Sequence, residues 1–136
     1  MTLNNLQFRA EATEATRKKF YGRPFKWGSV DCVKMARFHA VKMKHRPPKM
    51  PPYTTEIGAL RAIKKTGFDS VDDIFSSMFP PINLAKAQLG DFVLAEGQNG
   101  VDAVFIFLGR KMMGFHEEAD ELVVVIPDKV KSVYRV

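Results

Sequence analysis

The sequence predicts an α+β fold, with helices in the first part of the chain and an antiparallel sheet in the last. Two observations carry this. Up to Phe79 the apolar residues recur at helical spacing between residues that cap or break helices. After Leu89-Gly90-Asp91 the texture changes to short runs rich in β-branched and aromatic residues. No repeat or low-complexity segment interrupts the order, and 136 residues make a single domain over 1–136 with room for one core.

The first helix is expected over 5–20, with Leu6, Ala10, Thr13 and Arg17 on one face. Glu11 and Glu14 lie early and Arg17-Lys18-Lys19 late, which suits the helix dipole. Gly22 and Pro24 close it, and Ser29 offers an N-cap for a central helix over about 30–45. That helix carries a broad apolar stripe from Val30 to Met43, with Lys34, Arg37, Lys42 and Lys44 outside it. Residues 46–53, Arg-Pro-Pro-Lys-Met-Pro-Pro-Tyr, must be an extended surface connector. A short helix then starts at Thr54 or Thr55 and runs to Lys65, with Ile57, Leu60 and Ile63 on one side. Ser70 caps another, to about Phe79, before Pro80-Pro81. Strands are expected at Phe92–Ala95, Ala103–Leu108, Arg110–Phe115 and Leu122–Ile126, with a final edge strand over Val130–Val136. Gln98-Asn99-Gly100 reads as a turn, and Glu117-Glu118-Asp120-Glu121 as a solvated hairpin tip.

Composition narrows the function classes. Apolar residues make 46% and charged residues 26% of the chain, a globular balance, and no apolar run approaches the ~20 residues of a membrane span. The start of the chain lacks the layout of a secretory signal, and one cysteine excludes an internal disulfide framework, so synthesis in a reducing cytoplasm is expected. The net charge of +6 is concentrated in Arg17-Lys18-Lys19, Lys42 to Lys49 and Lys129-Lys131. Without a base-reading motif beside it, this charge reads as a solvating face rather than a nucleic-acid surface. Neither a cofactor motif nor a zinc-type spacing is present, so no cofactor and no metal are expected.

The chemistry-bearing candidate is Cys32, the sole cysteine, in the first turn of the central helix behind Phe25-Lys26-Trp27-Gly28. A helix N-terminus favours the thiolate, whereas a neighbouring carboxylate, Asp31, opposes it unless it caps backbone. A nucleophilic cysteine also needs a base. His39 lies on the same helix face but about 10 Å along the axis, and His45 lies further still. His116, in the sheet half, can pair with Cys32 only if the fold returns it there. Cys32 therefore reads either as a buried small apolar residue or as a nucleophile.

Pro24-Phe25-x-Trp27-Gly28-x-x-Asp31-Cys32, Tyr53-x-Thr55 with Gly58-Ala59-Leu60-Arg61, Leu89-Gly90-Asp91-Phe92-Val93-Leu94 and Tyr134-Arg135-Val136 follow one another in an order that resembles a family of small bacteriophage and prophage tail-associated proteins. That family is related to the NlpC/P60 cysteine peptidases. The resemblance implies a papain-like fold in which a helix-borne cysteine faces an antiparallel sheet, and a virion tail location after synthesis in the host cytoplasm. It also implies other tail proteins as partners, with peptidoglycan as a further one. Trp27, Gly28 and Asp31 match the family motif, and Cys32 matches the nucleophile position. Phe25 stands near a position where active peptidases carry tyrosine, and Ala103 occupies the expected histidine position at the start of the second strand. Asp102, adjacent in the strand, is expected to face the opposite way. The resemblance thus implies a structural or assembly component that is catalytically degenerate, a pseudoenzyme. The alternative is an active cysteine peptidase or amidase that degrades peptidoglycan during phage entry, with Cys32 as nucleophile and His116 as base.

Overall fold

The computed structural model describes residues 2–97, 101–115 and 120–136, with the side chains of residues 2–4 outside the description. Four helices precede five strands: α1 Thr2–Phe20, α2 Cys32–Lys42, α3 Glu56–Lys65, α4 Val71–Met78, then β1 Phe92–Ala95, β2 Ala103–Phe107, β3 Met112–Gly114, β4 Val123–Val125 and β5 Val130–Tyr134. The α+β expectation holds, and residues 46–53 form no regular element. The sheet is antiparallel with order β4-β3-β2-β1-β5. The chain meanders through β1 to β4, and β5 then returns to pair with β1 as an edge strand. The expected turn at 98–100 and most of the expected hairpin tip at 117–121 lie outside the described residues. No helix is long and apolar enough to cross a membrane among the described residues.

Alternation along the strands divides the core into two layers. Phe92, Leu94, Val104, Ile106, Met113 and Tyr134 face the helices and join Cys32, Val33, Met35, Ile63 and Phe75 in the main cluster. Val93, Phe105, Phe107, Met112 and Val133 form a second cluster on the far face, packed by Ile82 and Ala87. Phe92 is the aromatic pivot of the main layer. It stacks on Phe75 at 4.5 Å and meets His39 at 5.5 Å and Phe79 at 5.8 Å edge-on.

The helices end where their caps dictate. Thr55 and Ser70 accept the backbone N–H groups of Gly58 and Asp73 at the starts of α3 and α4. The cap of α2 is Asp31, which accepts from Lys34 N, and not Ser29. The buried face of α1 also differs from the one its apolar residues suggest. Leu6, Ala10 and Arg17 are exposed, while Arg9, Ala12, Thr13, Thr16 and Phe20 point inward. Ala12 and Phe20 enter the main core, but buried Arg9, Thr13 and Thr16 share that face, so apolar periodicity could not report its orientation. Ile57 of α3 is likewise exposed; Ala59, Ala62 and Ile63 form the buried side of that helix. On α2, Val41 is exposed instead of buried.

The bond that seats α1 runs to Asp91, which is fully buried just before β1. One of its carboxylate oxygens accepts from the Arg9 guanidinium and from Val136 N at 3.1 Å. The other accepts from Gln88 N at 2.8 Å and Arg135 Nε at 3.0 Å. Arg9, itself buried, completes its own donors on the carbonyls of Leu89 at 2.7 Å and Val136 at 2.6 Å. Beside this knot, fully buried His39 of α2 bridges α1 and the start of β1. Its Nδ1 lies 3.0 Å from Thr16 Oγ1, and its Nε2 lies 2.8 Å from the Gly90 carbonyl. Gly90 adopts φ +92°, and a Cβ there would press on Thr13 Oγ1 at 3.2 Å.

Removing the carboxylate by Asp91→Ala leaves a buried guanidinium without its counter-charge. It is expected to cost about 3–5 kcal/mol of unfolding free energy in a urea titration. A second expectation concerns acid. Burial lowers the His39 pKa from 6.5 to about 4, so the unfolded chain binds a proton before the folded one does. Stability from this group is complete above pH 6.5 and declines as the pH falls towards 4, by up to about 1.4 kcal/mol per pH unit. His45, whose pKa is also lowered by burial, adds in the same direction. Unfolding free energies measured between pH 7 and 4 should therefore show a shallower decline for His39→Gln than for the wild type.

Candidate functional site

The site begins with a tight turn. Lys26 and Val30 pair across it, each donating its N–H to the other's carbonyl at 2.9 Å. Gly28, at φ +92°, lies against the Tyr53 carbonyl so closely that a Cβ would fall 2.0 Å from that oxygen. Only glycine fits both the backbone angle and the space. The turn delivers Asp31 in an extended conformation, with φ −141° and ψ 173°, directly before α2.

Asp31 is fully buried, and its carboxylate is consumed by structure. Oδ1 accepts from Lys34 N at 2.8 Å, Oδ2 accepts from Gly28 N at 2.7 Å, and the Tyr53 hydroxyl donates to Oδ2 at 2.9 Å. Burial and the neighbouring carboxylate raise the Tyr53 pKa, which keeps the phenol protonated as a donor. This knot ties the turn, the start of α2 and the Pro-rich connector together. In the sequence the only signal for this role of Tyr53 is its place within Tyr53-x-Thr55.

Cys32 is the first residue of α2. Its Sγ donates to the Asp102 carbonyl at 3.6 Å, and burial pushes the thiol pKa up to about 12, with Asp31 and Asp102 adding in the same direction. The Val104 backbone N–H offsets only part of this. The helix N-terminus therefore does not deliver the lowered pKa that its position suggests. The Asp31 carboxylate already occupies an N–H of the first turn, and the thiol lies in an apolar layer.

The side chain of Ala103 packs against the far-face cluster and lines the cavity that Cys32 also borders. The β2 side chain in the same layer as Cys32 is Val104, and the Asp102 carbonyl, rather than a side chain of residue 103, faces the sulfur. Asp102 and Ala103 thus face opposite ways, as neighbours along a strand do. Residue 102 precedes the first residue of β2, and the alternation from Val104 onward sets Ala103 outward. The Asp102 carboxylate turns to Lys131 Nζ at 2.8 Å and Asp72 N at 3.2 Å. His39 is held by Thr16 and Gly90, and His45 stands edge-on to Phe79 at 4.8 Å. His116 lies outside the described residues.

Cys32 borders a cavity of about 490 Å³. Phe25, Trp27 and Phe115 line its aromatic side, with Phe25 edge-on to Trp27 at 5.0 Å and to Phe115 at 5.6 Å. Glu56, Glu96, Asp102, Asp128 and Lys129 bring charge to it. No group of three His, Cys, Asp or Glu side chains converges in a way that could hold a metal among the described residues.

A cysteine at the head of a helix, set against an antiparallel sheet over such a cavity, places the molecule among P60-like folds. The chain is similar to the crystal structure of the P60 domain from M. avium paratuberculosis antigen MAP1272c, with a TM-score of 0.60 over 96% of each chain at 16% identity. Residues 5–136 match the family described as a domain of unknown function, DUF6950, and the chain belongs to that family. No curated protein sequence matches it.

The thiol environment gives a direct expectation. At pH 8 native Cys32 should react with a small disulfide reagent at least about 40-fold more slowly than free cysteine, even after allowing for the higher nucleophilicity of a high-pKa thiolate. In guanidinium chloride the full rate should return.

Proposed function

We propose that the chain is a structural or assembly component of a bacteriophage tail, built on a P60-like fold and without hydrolase chemistry of its own. The observation that carries the loss of chemistry is the state of Cys32. Its thiol is buried, bonded to a backbone carbonyl and raised to about 12 by burial. The β2 side chains that share its layer, Val104 and Ile106, and Ala103, which lines the same cavity, cannot move a proton. The tail assignment is supported by the ordered resemblance of the Pro24–Cys32, Tyr53–Arg61, Leu89–Leu94 and Tyr134–Val136 motifs to phage and prophage tail-associated proteins. These motifs coincide with the structural knots. Gly28 and Asp31 meet Tyr53, and Asp91 meets Arg135 and Val136. What the resemblance preserves is therefore the scaffold. On this reading the partners are other tail proteins and the location is the virion tail.

The rival reading, a peptidoglycan-cleaving cysteine peptidase or amidase with Cys32 and His116, is favoured by one observation, the cavity of about 490 Å³ that Cys32 borders. Two assays separate the readings. Purified sacculi incubated with wild type or Cys32→Ala are expected to release no soluble fragments with either protein. In a phage that encodes the chain, Cys32→Ala is expected to leave tail assembly and plating efficiency within about twofold of wild type, while deletion of the gene abolishes tails. Digestion by wild type that Cys32→Ala loses would replace the structural reading with the enzymatic one. Normal tails after deletion would remove the assembly role.

A further inference from the structure

Charge is divided unevenly along the chain. Residues 1–65 carry fifteen Lys and Arg against four Asp and Glu, net +11; residues 66–136 carry six against eleven, net −5; together these give the chain's +6. Part of each group gathers at one end of α2, cations at its C-terminal end and carboxylates around the cavity at its N-terminal end. Eleven residues place those ends about 15 Å apart.

At the C-terminal end, Lys19 and Lys42 hold their ammonium groups 5.3 and 5.4 Å from the Phe38 ring centre. Lys18, Lys44 and Arg46 stand exposed nearby in sequence. Two apolar side chains break the surface among these cations, Tyr21 at 55% exposure and Val41 at 49%. The acid within this stretch of α1, Glu14, is already bonded to Arg17. At the N-terminal end lies the cavity beside Cys32, lined among the described residues by Glu56, Glu96, Asp102 and Asp128 with Lys129, while the nearby Lys34 ammonium is turned onto the Tyr53 ring at 5.3 Å. Asp102 is bonded to Lys131, while Glu96 and Asp128 are exposed. The mouth also presents Ile126, 72% exposed, beside the aromatic Phe25 and Trp27.

Each pole is thus a charged rim around exposed apolar groups, and the two carry opposite signs. A surface that matches another surface of the same molecule, rather than itself, makes a heterologous contact. We propose that the basic end of α2 in one copy docks at the acidic cavity mouth of a second copy, head to tail, with Lys19 and Lys42 meeting Glu96 and Asp128. The contact repeats from copy to copy, closing a ring or extending a file according to the angle at each junction. It does not depend on whether Cys32 is catalytic. A second copy fits better than a nucleic acid because it accounts for both poles, whereas a polyanion would use only the basic one.

Sedimentation velocity on the full chain tests this. At about 50 mM salt the average mass should rise above the 15.4 kDa monomer as concentration increases. At about 0.5 M salt the apparent dissociation constant should be at least about tenfold weaker. Lys19→Glu/Lys42→Glu makes both poles acidic, and Glu96→Lys/Asp128→Lys makes both basic; each double variant alone should be monomeric at low salt. An equimolar mixture of the two should associate again, because every pole then finds an opposite one. That rescue is a result misfolding cannot produce. A wild type that stays monomeric at low salt up to millimolar concentration, or a mixture that fails to associate, overturns the proposal. So does a monomeric wild type that binds a labelled DNA duplex and loses that binding in Lys19→Glu/Lys42→Glu, which would make the basic pole a polyanion surface.

Discussion

The carboxylate of Asp91, wholly removed from solvent, is the point on which the rest of the structure depends. A buried carboxylate is tolerable only when charge and hydrogen bonds replace its water, and here Arg9 and Arg135 supply the charge while Gln88 and Val136 supply backbone donors. Those partners come from α1, from the turn before β1 and from the segment after β5. The knot therefore fixes the first helix against the edge of the sheet. With α1 fixed, Thr16 meets His39, α2 takes its angle across β1 and β2, and Cys32 arrives against the Asp102 carbonyl.

A second carboxylate governs the site in the same manner but with the opposite chemical result. Asp31 accepts from Gly28, Lys34 and Tyr53, so it holds the turn and the helix start rigidly. The rigidity serves position and not reactivity. By taking the first-turn N–H of Lys34 and adding its own charge beside the sulfur, Asp31 opposes the thiolate that a bare helix terminus would favour. The fold presents a cysteine to a cavity while the electrostatics hold its proton in place.

Much of the fold was legible in the sequence because its signals are local. Thr55 and Ser70 announce the starts of α3 and α4, the proline pairs end elements, and β-branched and aromatic runs after Gly90 mark β1, β2, β4 and β5 within a few residues, whereas Met112-Met113-Gly114 of β3 carries no such run. What could not be read was set by contacts distant along the chain. The inward face of α1 is chosen by Arg9 reaching Asp91, 82 residues away, and by Thr16 reaching His39, so its apolar residues pointed to the wrong face. Asp31 as cap depends on Tyr53 and Gly28 as much as on its own position. The outward turn of Ala103 depends on where β2 begins, and a one-residue change there exchanges the two faces of a strand.

The imidazole of His39 has a consequence that its burial alone does not express. With Nε2 donating to the Gly90 carbonyl, a neutral ring must accept at Nδ1, so the single hydroxyl hydrogen of Thr16 points there. The same hydroxyl lies 2.9 Å from the Ala12 carbonyl, one turn back on α1. If a proton is forced onto Nδ1, the roles invert: the ring donates, and the Thr16 hydrogen swings to Ala12. One hydroxyl rotor thus gives α1 two hydrogen-bonding states, selected by the protonation of a residue on α2, and the interface between the helices records the proton inventory of the core.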